Sequence, residues 1–112
     1  MRRERAAIFY RHPLFGHGIG RLVAADPRYD VVSVSSLTPD CGKAARHLDL
    51  DVIVAEGEDS QHPAEVIDEL PPVLVILVRL DTNLIDVYFK RQLVVPRPES
   101  LAEALAAAEK PA

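Results

Sequence analysis

The chain has 112 residues, a length that suits one domain built around a single hydrophobic core. Hydrophobic residues make up 48% of it and charged residues 27%, which is ordinary for a globular protein. With 17 acidic and 13 basic residues the formal net charge is −4, so the composition gives no reason to expect a nucleic-acid partner.

Cysteine content and hydropathy indicate the cellular compartment in which the protein is expected. The single cysteine, Cys41, excludes an internal disulfide and suits a reducing cytoplasm. The longest apolar run, residues 73–78, is far too short to cross a bilayer, and the charged N-terminus is not followed by the apolar segment of a signal peptide. We therefore expect a cytoplasmic protein with no membrane contact.

The chain begins with a predicted strand and helix. Residues 6–10 are largely apolar, as in a strand that is buried on both faces. Pro13 suits the first turn of a helix, where its missing N–H costs nothing. Apolar residues then recur at helical spacing and predict one apolar stripe, made of Leu14, Phe15, Ile19, Leu22 and Val23.

The alternation of strand and helix continues through the middle of the chain. Residues 31–35 predict a second strand, Thr38 and Pro39 begin a second helix, and residues 51–55 predict a third strand. Residues 56–61 are polar and predict a loop.

A third helix and a fourth strand complete the alternating part. Residues 63–70 predict a short helix that ends at two prolines, and residues 73–78 form a continuous apolar strand. Strand and helix alternate up to this point, which predicts an α/β fold with a parallel sheet and helices on both faces.

After residue 80 the pattern changes to antiparallel β structure. A turn at residues 81–83 joins the fourth strand to a β-rich run at 84–89, and a second turn at 90–92 precedes a short strand at 93–95. A final helix is predicted from residue 98 or 99 to about residue 110. The new edge of the sheet carries charges that discourage edge-to-edge pairing, namely Asp86, Lys90 and Arg91.

Two short motifs resemble the receiver domain of bacterial response regulators, particularly LuxR-type regulators. The first motif comprises His12, Pro13, Leu14, Phe15, Gly18 and Leu22. The second is the apolar third strand that leads into Glu56 and Gly57. The resemblance covers about residues 6–80. It implies a flavodoxin-like, doubly wound parallel sheet with strand order 2-1-3-4, in which an antiparallel β extension replaces the fourth receiver helix. We expect one such domain over residues 1–112, with no output domain.

The resemblance also implies that the phosphorylation site is degenerate. In the family, three acids hold Mg²⁺ beside the aspartate that accepts a phosphoryl group. The corresponding positions here are Tyr10, Arg11 and Glu56. The serine or threonine of the fourth strand and the lysine of the fifth correspond to Val78 and Arg97. We therefore expect no Mg²⁺, no other metal ion, no cofactor and no enzymatic activity.

An ion pair between Arg11 and Glu56 is the remaining prediction for this pocket. Both residues end strands that are neighbours in the implied fold, so their side chains would meet where the family holds its metal. Two interpretations stay open. The pair locks the domain in an activated-like state, or the pocket is simply filled by residues that pack well.

The glycines and histidines raise the possibility of a dinucleotide-binding site and a zinc site. Gly16, Gly18 and Gly20 follow a strand and begin a helix, but their spacing departs from the dinucleotide-binding pattern G-x-G-x-x-G. Close packing of the helix on the sheet explains them better. The four histidines and the cysteine are dispersed along the chain, which disfavours a structural zinc site.

These features predict a phosphorylation-independent receiver-like domain that acts by protein–protein interaction in bacterial signal transduction. The protein partner is unknown. We also expect a homodimer that uses the C-terminal helix and the rebuilt region, with interface residues Ile85, Val87, Tyr88, Phe89, Leu93 and Val95. The alternative is a small-molecule or anion-binding module that uses the crevice at the C-terminal ends of the strands.

Overall fold

The structure of the chain is a computed structural model, which describes residues 3–38, 41–57, 73–79, 84–89, 92–95 and 104. The elements are β1 (Glu4–Tyr10), α1 (Pro13–Ala24), β2 (Tyr29–Ser36), α2 (Cys41–His47), β3 (Val52–Gly57), β4 (Leu74–Arg79), β5 (Leu84–Phe89) and β6 (Gln92–Val95). Ala104 is also helical. The predicted helix at 63–70, the turn at 81–83, Arg97, most of the C-terminal helix and the side chains of Leu93 and Val95 lie outside the described residues.

The described strands form one six-stranded sheet in the order β2-β1-β3-β4-β5-β6. Strands β1 to β4 are parallel to one another, and their relative order is the predicted 2-1-3-4. The sheet continues past β4 through β5 and β6, which are both antiparallel to their neighbours. The fold is therefore α/β with a mixed sheet.

Helices cover both faces of this sheet. On one face, Val23 of α1 and Ala104 pack with the strand side chains of the first core cluster. On the other face, Ala45 of α2 packs with a second cluster. Strand β3 is buried along its whole length, because it lies between β1 and β4 and beneath helices on both sides. Within the described ranges, no helix has the length and apolar character needed to cross a membrane.

Strand β3 is longer than predicted. Its last two residues, Glu56 and Gly57, pair in register with Val78 and Arg79 of β4, so they belong to the strand and their assignment to the predicted loop is wrong. The prediction failed because a carboxylate followed by glycine is typical of a loop. Here the pairing with β4 outweighs that local preference.

Helix α1 begins at Pro13 as predicted, but its apolar stripe is divided between two faces. The face toward the sheet carries Gly16, Gly20 and Val23, which are buried. Leu14 and Leu22 lie on the opposite face and are 89% and 62% exposed, so their assignment to one stripe with Val23 is wrong. The apolar residues of this helix are spread over more than one of its faces, so the pattern alone does not select the inward face.

Strand β5 is buried more than an edge strand would be. The sequence predicts Val87 as a dimer-interface residue. In the structure Val87 is fully buried in the core of the single chain and does not reach the surface. Asp86 is also buried, and its predicted role in protecting an exposed edge is wrong because β6 pairs along the outer side of β5. Ile85, Tyr88 and Phe89 are partly buried against the same two core clusters.

Candidate functional site

The C-terminal ends of β1 and β3 lie side by side. Phe9 of β1 pairs with Ala55 of β3, so the next residues in each strand, Tyr10 and Glu56, reach the same edge of the sheet. Val78 of β4 is in register with Glu56 on the other side. This edge of a parallel sheet is where α/β proteins commonly place their functional residues. The structure thus brings together Tyr10, Arg11, Glu56 and Val78, while Arg97 lies outside the described residues.

The side chain of Glu56 is buried, with only 2% of its surface exposed, and its carboxylate is surrounded by hydrogen-bond donors. The backbone N–H of Arg11 donates to Oε1 at 2.9 Å, and the backbone N–H of His12 donates to the same oxygen at 3.0 Å. Oε2 pairs with Nδ1 of the His12 imidazole. Both carboxylate oxygens therefore have partners.

These contacts also cap the N-terminus of α1. His12 is the N-cap residue of the helix, and its own side chain makes no capping hydrogen bond. The first N–H groups of a helix need acceptors, and negative charge near them is favourable. In a capping box, a glutamate of the helix itself accepts from the N-cap N–H. Here Glu56 fills that role from a neighbouring strand, so it joins β3 to the start of α1.

The pKa of Glu56 results from opposing effects. Burial disfavours the charged carboxylate and by itself raises the pKa. The hydrogen bonds from the His12 side chain, the His12 backbone and the Arg11 backbone lower it, and together they prevail. The pKa of Glu56 therefore lies below its ordinary value, and the side chain is ionised at neutral pH.

The sequence-based prediction of a side-chain pair between Arg11 and Glu56 identified the right neighbours but missed the main side-chain partner. Arg11 reaches Glu56 through its backbone N–H, and the imidazole of His12 supplies the side-chain contact. The His12 side chain is 69% exposed, so an exposed ring lies over a buried carboxylate. The signal in the sequence is the position of His12 directly before Pro13, at the start of α1.

Tyr10 fixes the position of α1 above this site. A Cβ atom on Gly16 would lie 2.6 Å from the Cβ of Tyr10 and closer still to its ring, so only glycine fits there. The Tyr10 ring also lies 5.7 Å from the ring of His17, measured between centroids. The predicted close packing of helix glycines on the sheet is confirmed for Gly16 and Gly20, but Gly18 faces outward with open space around it.

The residues at this edge do not fit the Mg²⁺ ion that the resemblance would imply. Mg²⁺ requires several oxygen ligands, usually including carboxylates. Of Tyr10, Arg11 and Glu56 only Glu56 has a carboxylate, and its two oxygens already accept hydrogen bonds. Val78, in register with Glu56, offers no oxygen on its side chain. Among the residues that the structure describes, no group of three or more His, Cys, Asp and Glu side chains is placed to hold a metal ion.

A second polar contact lies between β4 and β5. Nη2 of Arg79 donates to Oδ2 of Asp86 at 2.6 Å, and both side chains are largely buried. The pKa of Tyr88, on the same face of β5 as Asp86, is raised, chiefly by burial and further by the negative charge of Asp86. This pair joins the antiparallel extension to the parallel part of the sheet.

No family model, curated protein or solved structure matches the chain. The likeness to receiver domains is therefore carried by the short motifs in the sequence.

Proposed function

We propose that this chain is a non-enzymatic, receiver-like domain that acts by protein–protein interaction in bacterial signal transduction and does not depend on phosphorylation. The observation that carries the proposal is the buried Glu56 carboxylate, held by two backbone N–H groups and an imidazole. The four parallel strands in the order 2-1-3-4 support a flavodoxin-like scaffold.

A phosphoryl acceptor needs an accessible carboxylate oxygen and a cation that neutralises the incoming group. Glu56 is buried, and attack through either oxygen would first break hydrogen bonds to Arg11 or His12. The same hydrogen bonds hold the turn between β1 and α1 in one arrangement. A domain with a fixed turn and no phosphoryl acceptor would act by binding a partner protein on its surface.

The anion-binding alternative is weaker for a specific reason. An anion at the C-terminal ends of the strands would bind the N–H groups at the start of α1. Those of Arg11 and His12 already donate to Glu56, so the internal carboxylate competes with any external anion.

The proposal is tested by incubating the purified chain with Mg²⁺ and acetyl phosphate and measuring its intact mass. A receiver domain with all its acids serves as the positive control. We expect no phosphoryl adduct, and we expect no rise in the thermal unfolding midpoint with inorganic phosphate or nucleotides. An adduct mapped to Glu56 would contradict phosphorylation independence. Saturable stabilisation by one of these anions would favour the binding module instead.

A further inference from the structure

We propose that the outer edge of β2 pairs in antiparallel orientation with β2 of a second copy of this chain, which gives a homodimer with one continuous sheet. This inference goes beyond the proposed function, and it names a different surface from the one that the sequence predicts for a homodimer. Three observations carry it: the position and composition of β2, the direction of its backbone groups, and a pairing register that is symmetric about Ser35.

Strand β2 lies at one end of the sheet. Among the strands that the structure describes, it pairs with β1 alone. With eight residues it is also the longest of these strands. An edge strand presents a row of backbone N–H and C=O groups, with which another chain can pair unless the edge is protected.

The two edges of the sheet differ in their protection. Strand β6, at the opposite edge, has only four residues, and Lys90 and Arg91 come directly before it in the sequence. Short strands and nearby charges are common means of preventing edge-to-edge pairing. In β2 the residues after Asp30 are uncharged and include neither proline nor glycine: Val31, Val32, Ser33, Val34, Ser35 and Ser36. This composition permits pairing with a further strand.

A register irregularity limits the part of the edge that can pair. Ala6 and Ala7 of β1 pair with Val31 and Ser33, so the intervening Val32 is left out of the ladder. Such a bulge bends a strand and interrupts its edge. From Ser33 to the end of β2 the register is regular, and this half of the edge is the part suited to pairing.

The backbone of this half shows which groups point outward. The N–H of Leu37 donates to the carbonyl of Tyr10 at the end of β1, at 2.7 Å. Because successive residues of a strand direct their N–H and C=O groups to opposite sides, Ser35 also faces β1. The N–H and C=O groups of Val34 and Ser36 therefore point away from β1, to the side on which no described strand lies. Ser36 is exposed and Val34 is half-buried.

These outward groups are complementary to themselves about a twofold axis at Ser35. Opposed residues of an antiparallel pair that face each other exchange two hydrogen bonds. With the axis at Ser35, Val34 of each copy lies opposite Ser36 of the other, so two such pairs join the copies. An axis at Val34 would place Ser36 opposite Val32, at the irregular position.

The side chains at this seam also suit a second copy. Ser35 would lie opposite its own counterpart in a pair without backbone hydrogen bonds, where side chains approach most closely. Its hydroxyl already bonds to that of Ser33 at 2.9 Å, and hydroxyl contacts across strands are favourable. Residues 33–37 carry no charge, so no like charges face each other across the seam. An identical edge therefore satisfies the outward groups of both copies at once.

Sedimentation velocity of the full chain over a concentration series tests the dimer, and we expect a monomer–dimer equilibrium. Ser36→Pro removes an outward N–H that β1 does not use and places a ring in the seam, so it should raise the dimer Kd at least about tenfold. Ser36→Ala keeps the N–H. This matched control should change Kd by less than about threefold.

Charges at Ser35 test the register. Because Ser35 faces itself across the axis, Ser35→Lys and Ser35→Glu should each weaken their own dimer by about fivefold or more. An equimolar mixture of the two variants should associate as a heterodimer, which also shows that both are folded. These variants decide the proposal independently of whether Ser36→Pro folds.

Three results would each overturn the proposal. The first is a wild-type chain that stays monomeric at about 1 mM. The second is a dimer that folded Ser36→Pro leaves as stable as Ser36→Ala does, which would place the interface elsewhere. The third is a mixture of the Ser35 charge variants that associates no better than either variant alone. None of these results depends on whether Glu56 accepts a phosphoryl group, so the two proposals fail separately.

Discussion

At the scale of single residues, Glu56 shows how a buried charge is made tolerable. Burying a carboxylate is costly unless donors surround it. Arg11 and His12 supply three donors from adjacent positions, because the chain turns from β1 into α1 directly above the end of β3. The carboxylate stabilises the helix start, and the helix start stabilises the carboxylate.

Replacing Glu56 with glutamine should lower the free energy of unfolding by about 1–3 kcal/mol at neutral pH. Glutamine keeps the size and one acceptor oxygen but loses the negative charge that the N–H groups and His12 favour. Urea unfolding of both proteins measures the difference. Asp30→Asn, at an exposed acid in β2, is the matched control and should change stability by no more than about 0.5 kcal/mol.

The lowered pKa of Glu56 makes this contribution depend on pH. A folded-state pKa below the unfolded value means that the stabilisation is complete above the unfolded pKa, which is about 4.3 for glutamate. The stabilisation is lost as the pH falls through the folded pKa. The difference between wild type and Glu56→Gln should therefore shrink as the pH falls below about 4. A difference that grew as the pH fell below about 4 would contradict the assigned pKa direction.

The sequence identified Glu56 and its neighbour Arg11, but not the part that each atom plays. Which of two adjacent residues, Arg11 or His12, directs its side chain at the carboxylate depends on how α1 leaves the strand. A backbone N–H that donates to a side chain leaves no mark in the sequence.

At the scale of elements, α1 shows where hydrophobic periodicity stops being informative. The helix start at Pro13 followed from the sequence, because proline has a definite preference for that position. The inward face did not follow. Leu14 and Leu22 are as apolar as Val23, and the inward face is set by the close approach of Gly16 to Tyr10 and the packing of Val23 in the core.

The glycines of α1 should respond in opposite directions to alanine. Gly18→Ala should stabilise the chain by about 0.5–1 kcal/mol, because the added methyl group meets nothing and the unfolded chain loses freedom. Gly16→Ala should destabilise it by about 1–3 kcal/mol, since the methyl group would collide with Tyr10. Urea unfolding of the pair measures both effects. Equal changes at the two positions would contradict the orientation of the helix.

The Arg79–Asp86 pair should matter more than an exposed ion pair. Asp86→Asn would leave a largely buried guanidinium without its anionic partner, at a cost of about 2–4 kcal/mol. Because the Asp86 charge helps to raise the pKa of Tyr88, the variant should also lower that pKa, as read from the tyrosinate absorbance. Exposed Asp30→Asn again serves as the control. Unchanged stability would mean that the pair does not join β4 to β5.

At the scale of the whole molecule, the alternation of strands and helices from β1 to β3 and the later change to antiparallel β structure both followed from the sequence. Hydrophobic periodicity and turn residues report such features locally. The burial of β5 did not follow. Whether a strand lies at the edge of a sheet depends on what pairs with it, and β6 is only four residues long.

The homodimer stays a prediction, with a smaller surface than the sequence suggested. Val87 belongs to the core of the single chain, and Ile85, Tyr88 and Phe89 are partly covered by it. The described part of the molecule therefore combines an α/β scaffold with a buried carboxylate, Glu56, at one edge of the sheet and two exposed leucines on the outer face of α1.

The most direct test of the central claim is a ¹H–¹⁵N correlation spectrum recorded with and without Mg²⁺ and beryllofluoride, a phosphoryl mimic for receiver carboxylates. If Glu56 is an internal anchor, the amide signals of Arg11, His12 and Glu56 will not move, because both carboxylate oxygens are already engaged. Saturable, Mg²⁺-dependent shifts centred on these three residues would contradict the account and restore Glu56 as a phosphoryl acceptor.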